Sequence, residues 1–163
     1  MGTKAREIVE LDVDELIAEL NKAYADEWLA FNQYWISAEL CAGMRPYVLS
    51  SELKRLAAEE MEHAEEVTER ILQLGGKPPV SPKEWYKISG CGYADPPDPV
   101  DTVAVMEATI KGEQCAIDVY NKIAKMTHGK DPVTYQLALH IMEEELEHED
   151  TIETLLEAHK KQG

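Results

Sequence analysis

The sequence predicts an all-α fold: four long helices paired as two antiparallel hairpins, with a long crossover between them. Three observations carry this reading. Apolar residues recur every three or four positions through residues 12–40, 50–74, 101–126 and 132–160, and no segment alternates convincingly as a strand. The connections run short, long, short, as a four-helix bundle built from two hairpins requires. A search for internal repeats shows the second hairpin to be a near copy of the first. The 163 residues suit one domain, and 44% apolar content is enough to bury a core. Residues 1–11 read as an N-terminal tail and 12–160 as the domain.

Each helix has recognisable ends. Asp12 is a candidate N-cap for the first, and Pro46 follows that helix. Gly75-Gly76 with Pro78-Pro79 closes the second. Asp101 can cap the third. Gly129 precedes Asp131-Pro132, a cap followed by proline at the first helical position of the fourth. The crossover, Gly75 to Val100, carries Pro78, Pro79, Pro82, Pro96, Pro97 and Pro99, and is too long for a simple hairpin loop.

Charge and composition exclude several functions. With 32 acids against 16 bases the formal charge is −16, which opposes binding to phosphate backbones and favours cations as clients. No apolar run approaches the roughly 18 to 20 residues of a membrane span. The N-terminus shows no apolar signal region, so the expected compartment is the cytoplasm. Met1-Gly2 does not open a myristoylation motif, because Arg6 stands where Ser or Thr is needed. Cys41, Cys91 and Cys115 are too few for a secreted disulfide scaffold, and without a C-x-x-C they exclude zinc knuckles and rubredoxin-type iron sites.

The repeat holds the chemistry. Glu27-Trp-Leu-Ala30-Phe31-Asn-Gln-Tyr34 aligns with Glu113-Gln-Cys-Ala116-Ile117-Asp-Val-Tyr120. Glu60-Met-Glu-His63 aligns with Glu145-Leu-Glu-His148, each preceded by a further Glu. At about 100° per residue these acids and histidines interrupt the apolar stripes they belong to: Leu20, Tyr24, Glu27, Phe31, Tyr34 on the first helix; Leu53, Leu56, Glu60, His63, Val67, Ile71, Leu74 on the second; Met106, Ile110, Glu113, Ile117, Tyr120 on the third; Ile141, Glu145, His148, Ile152, Leu155 on the fourth.

Four carboxylates buried together are untenable alone, since each loses several kcal/mol of solvation and like charges about 4 Å apart repel by roughly 4 kcal/mol even when screened. Two divalent cations would cancel them, with two imidazole nitrogens completing the set. A Glu from each of two helices plus Glu-x-x-His from each of the other two is the donor pattern of dimetal carboxylate bundles. Glu27, Glu60, His63, Glu113, Glu145 and His148 are therefore the candidate metal ligands and reactive centre. Oxygen and nitrogen donors without thiolate suit iron or manganese. A lone Glu-x-x-His is weak evidence: with 23 Glu and 5 His, about 0.7 such pairs arise by accident. The conjunction of two motifs, two partner acids and matched spacing carries the reading, against a metal-free bundle whose Glu and His merely pair. Tyr34 and Tyr120 fit either packing with a hydrogen-bonded hydroxyl or a place beside the metals.

These residues resemble known proteins. Glu27-x-x-Ala-x-Asn32-Gln33-Tyr34 with Glu60-Met61-Glu62-His63 looks like bacterioferritin, and the likeness to ferritin-like proteins covers nearly all of residues 12–158. Ile88-Ser-Gly-Cys91, Glu113-Gln-Cys115-Ala-Ile117, Met126-Thr-His-Gly-Lys-Asp131-Pro132-x-Thr134-Tyr135 and Glu144-Glu145-Leu-Glu-His148-Glu149 resemble the Dps-like proteins of archaea and anaerobes, the thioferritins. The resemblance implies a ferritin-like four-helix bundle and a hollow cage, usually of twelve subunits. It implies oxidation of Fe(II) by hydrogen peroxide or O2 at a di-iron site in each subunit, two irons per subunit, with storage of the ferric product. It also implies that Cys91 and Cys115 form a thiol or disulfide redox pair beside the metals. Spacing does not show this, because Cys115 lies about 200° round the helix from Glu113, and each cysteine alone reads as a small buried residue. Cys41 reads as packing.

The departures also shape the expectation. Classical Dps proteins build their iron site between subunits, whereas here one chain holds all six donors. The ends offer only Lys4, Arg6, Lys160 and Lys161, so no nucleic-acid binding is expected. Met61 occupies the haem-ligating place of bacterioferritins, but Met at helical spacing reads as filler, so haem is not expected. With little chain after the fourth helix, the short fifth helix of 24-subunit ferritins is not expected, which favours the smaller cage. The competing reading is a catalase- or peroxidase-like iron or manganese enzyme without mineral storage.

Overall fold

A computed structural model describes residues 3–41 and 47–162. It contains six helices and, among the described residues, no strand: α1 Lys4–Glu7, α2 Val13–Cys41, α3 Tyr47–Gln73, α4 Pro82–Ile88, α5 Thr102–Thr127 and α6 Pro132–Gln162. α2 packs against α3 and α5 against α6 as two hairpins, which dock through α2 on α5 and α3 on α6.

Cap chemistry sets the starts of α2, α5 and α6. The Asp12 carboxylate accepts from the N–H groups of Asp14 (2.9 Å) and Glu15 (3.1 Å), and Asp101 accepts from Ala104 (3.0 Å). Asp131 accepts from Val133 (3.1 Å) and Thr134 (3.2 Å), after Gly129 turns the chain at φ 71°. α3 begins three residues before the expected Ser50. Its first turn is drawn onto the end of α2, with the Ser50 hydroxyl donating to the Ala38 carbonyl at 2.9 Å and Leu49 entering the core. Pro46, expected to follow the first helix, and the Met1-Gly2 pair lie outside the described residues.

Two short helices go beyond the expectation. α1 lies within residues 1–11, read as a tail; Arg6 pairs with Asp14 at 2.9 Å, the Glu10 N–H donates to the Lys130 carbonyl at 2.8 Å, and Val9 and Leu11 pack on the core. α4 lies in the crossover, opened by Ser81-Pro82, and is held to α2 by Trp85, whose ring stacks on Trp28 at 5.5 Å and meets Tyr24 edge-on at 6.1 Å.

The apolar interior is split in two. One cluster holds Leu53, Leu56, Met106, Ile110 and Ile152; the other holds Leu20, Val67, Ile71, Ile123 and Ile141. Each long helix runs from one cluster to the other, and Glu27, Glu60, His63, Glu113, Glu145 and His148 sit at the level between. Of the stripe residues, Tyr24, Phe31, Ile117 and Leu155 are only half-buried.

Near the second cluster α3 is clamped to the start of α6. The Arg70 guanidinium donates to both Asp131 oxygens (2.8 and 3.0 Å) and to the Thr134 hydroxyl (2.7 Å), all three residues being 3% exposed or less.

Candidate dimetal centre

The structure brings all six sequence-predicted residues together, each 2% exposed or less. Their donor atoms form two overlapping sets, Glu27, Glu60, His63, Glu145 and Glu60, Glu113, Glu145, His148, with the atoms of each set within 4.8 Å of one another. Glu60 and Glu145 belong to both. Each set could hold one cation with three carboxylates and one imidazole, the two sets sharing Glu60 and Glu145.

The histidine rings fix the sense of the site. His63 Nδ1 faces inward, 3.2 Å from Glu145 Oε1, 3.8 Å from Glu60 and 3.9 Å from Glu27. His148 Nδ1 lies 3.2 Å from Glu145 Oε2, 3.5 Å from Glu113 and 3.9 Å from Glu60. Each Nε2 points outward and donates to the acid that precedes the other hairpin's Glu-x-x-His: His63 to Glu144 at 2.8 Å, His148 to Glu59 at 2.7 Å. This leaves both Nδ1 atoms as inward lone-pair donors when the imidazoles are neutral. The sequence showed a Glu before each motif but not its partner, which comes from the opposite hairpin. Beyond them the repeat continues, with Arg55 on Glu59 and His140 3.7 Å from Glu144.

The electrostatics follow from gathering four carboxylates and two imidazoles away from water. Burial pushes Glu27 up to about 7, with the charge of Glu145 adding to it, and pushes Glu113 up to about 8. Burial and the charges of Glu145, Glu27 and Glu113 hold Glu60 well above the carboxylate range. Burial also acts against charge on Glu145, but the hydrogen bond with His148 and the His63 imidazole 3.2 Å away outweigh it and hold that acid down at about 2. For the imidazoles burial disfavours the cation, yet the surrounding carboxylates prevail and push both up to about 10. Protons held by the two imidazoles thus offset part of the carboxylate charge.

Five buried donor atoms nonetheless have no hydrogen-bond partner: Glu60 Oε2, His63 Nδ1, Glu113 Oε1 and Oε2, and Glu145 Oε1. Orphaned atoms this buried are costly, and here all five belong to residues of the two overlapping donor sets, so the residues fit a pair of divalent cations.

Tyr120 donates its hydroxyl to Glu27 Oε1, crossing from α5 to α2. Tyr34 is the repeat equivalent, its hydroxyl lying over Gly112, where a Cβ would collide with it. Burial first, then the nearby carboxylates, raise both phenols well above their usual value, so both remain protonated donors. Cys91 and Cys115 are joined by a disulfide that bridges the crossover to α5. It lines a cavity of about 460 Å³ whose walls also include Glu27, Glu60, Tyr34 and Gly112. Cys41 is a free, buried thiol in the first core cluster. Met61 is 38% exposed on α3.

Comparison with known proteins agrees with this geometry. Residues 17–161 match the model of the ferritin-like domain. A DNA protection during starvation protein of Pyrococcus furiosus is 34% identical over 146 residues, covering 90% of this chain and 79% of that protein. The bacterioferritin of Desulfovibrio desulfuricans is 33% identical over 135 residues, covering 82% of this chain and 70% of its own. Among solved structures, a dodecameric thioferritin, the bacterioferritin-related protein of Bacteroides fragilis, superposes with a TM-score of 0.94 at 36% identity, over 99% of this chain and 96% of its own. The bundle, the two hairpins and the long crossover are thus those of the ferritin-like family, to which this chain belongs.

Proposed function

We propose that the chain is a ferroxidase and iron-storage protein with an antioxidant role, in which Glu27, Glu60, His63, Glu113, Glu145 and His148 bind two Fe(II) ions per subunit as substrate. The observation that carries the reading is the pair of overlapping donor sets sharing Glu60 and Glu145, with five orphaned atoms on their residues. Each Fe(II) gives one electron to hydrogen peroxide, whose O–O bond breaks to two hydroxide ions, so two irons are oxidised per peroxide. Glu59 and Glu144 hold the imidazoles with Nδ1 inward. Tyr120 steadies Glu27, and Tyr34 closes the site above Gly112. Removing Fe(II) and peroxide together denies the cell the reaction that forms hydroxyl radical.

The Bacteroides fragilis protein is a dodecamer, which supports a cage of twelve here, with ferric iron held inside. The Cys91–Cys115 pair exchanges electrons beside the site; a disulfide in a cytoplasmic protein is usually of this transient kind. The net charge of −16 argues against DNA as a partner. No described helix is long and apolar enough to cross a membrane, and we place the protein in the cytoplasm.

The test is anaerobic addition of Fe(II) and hydrogen peroxide, followed by ferric absorbance and residual peroxide. The expected stoichiometry is about two irons per peroxide, with retention of ferric iron in a particle of cage size on gel filtration. Glu60→Ala and His148→Ala should lose the fast phase, and full activity in either would refute the donor assignment. Rapid peroxide loss without retained iron, from a small oligomer, would point to a catalase-like enzyme instead.

A further inference from the structure

The loop that carries Cys91 is organised around one carboxylate outside the donor set. Asp26 is only 7% exposed and makes no salt bridge among the described residues. Its oxygens are taken by three successive residues of the crossover. Oδ1 accepts from the Ser89 hydroxyl and from the Cys91 N–H (2.9 Å), and Oδ2 accepts from the Gly90 N–H (3.2 Å). The Ser89 oxygen accepts in turn from the Gly92 N–H at 2.7 Å, so residues 89–92 wrap on the Asp26 side chain.

The two sulfurs are held in unlike ways. Cys115 sits within α5 and is placed by helix geometry. Cys91 follows the end of α4 at Ile88 and has no helix beneath it. Apart from the disulfide itself, its backbone is held against α2 by the bonds to Asp26, with one further bond two residues on, from the Tyr93 hydroxyl to Asn32 Oδ1 at 3.3 Å. When the disulfide is cleaved, the loop stays beside α5 to the extent that those bonds persist.

We propose that Asp26 is a positioning residue for a reversible Cys91–Cys115 couple, holding Cys91 opposite Cys115 in the dithiol state so that the bond re-forms in place. The proposal rests on the redox reading of the pair. In reduction, two electrons and two protons from an external dithiol convert the disulfide to two thiols. In re-oxidation, the two thiols and one hydrogen peroxide yield the disulfide and two waters. Asp26 takes no part in either exchange; it sets the effective concentration of one thiol toward the other. Its place next to Glu27 on α2 sets the couple's anchor on the same helical turn as one of the proposed iron donors.

The test uses the assembled protein equilibrated in dithiothreitol buffers of graded ratio, with the disulfide fraction read by alkylation and mass. In Asp26→Ala the effective concentration should fall about tenfold or more, and in Ser89→Ala, which removes one of the three contacts, by roughly two- to fivefold. Rates of re-oxidation by hydrogen peroxide should fall in the same order while the thermal midpoint of the oxidised form changes little. Values within twofold of the wild type in both variants would overturn the proposal, and Ser89→Ala serves alone if Asp26→Ala does not fold. The redox reading is judged separately by a Cys91→Ser, Cys115→Ser double variant: unchanged iron oxidation by peroxide would refute that role without altering the ranking of Asp26 and Ser89.

Discussion

Glu59 and Glu144 hold the outer nitrogens of His148 and His63, and the value of that contact lies in ring orientation. Glu144→Ala should weaken divalent metal binding about 10- to 100-fold at the His63 position, and Glu59→Ala at the His148 position, as read by anaerobic Co(II) titration. Because both imidazoles are pushed up to about 10 in the metal-free site, uptake of two cations at neutral pH should release at least two protons per chain. Affinity should therefore rise with pH across the neutral range, measured with an indicator dye in weak buffer. The gathering of the six candidate residues was legible because acids and histidines interrupted stripes otherwise apolar. Glu59 and Glu144 were visible but without assignment, since their partners sit 89 and 81 residues away, respectively, on the opposite hairpin. Asp26 was hidden in the same way, its three contacts lying 63 to 65 residues along the chain.

At the level of elements, the Arg70–Asp131 clamp ties the end of α3 to the cap of α6. Arg70→Ala leaves a buried carboxylate without its cation and should cost about 3–5 kcal/mol in denaturant unfolding. Hydrogen bonds from Thr134 and Arg70 outweigh the effect of burial and lower Asp131 below its ordinary 3.8. Its folded-state pKa is depressed, so the contribution is complete above about 4 and is lost as pH falls through the lower folded value. Thermal midpoints of wild type and Arg70→Ala should therefore converge under strong acid. The caps Asp12, Asp101 and Asp131 were readable because short polar side chains before apolar runs satisfy orphaned N–H groups locally. α1 and α4 were not, because four and seven residues carry too little periodicity, and tertiary contacts such as Trp85 on Trp28 decide them.

Across the whole molecule, the charge of −16 draws cations and repels phosphate backbones. Initial rates of Fe(II) oxidation should fall as inert salt rises from 20 to about 200 mM, because the attraction is screened over roughly 8–10 Å. DNA should run unretarded with the protein in a gel shift at physiological salt, and retardation would contradict the reading drawn from the net charge. The hairpin pairing was legible from connection lengths and the repeat. The division of the interior into two apolar clusters was not, since it depends on how four stripes meet in space.

The bond between Cys91 and Cys115 encloses a ring of chain running through residues 92–114, out along the prolines and into α5. A single protease cut at the exposed positions near Asp98 or Val100 therefore opens a ring instead of severing a thread. The nicked polypeptide should migrate as one band on a denaturing gel until a reductant is added, and then as two.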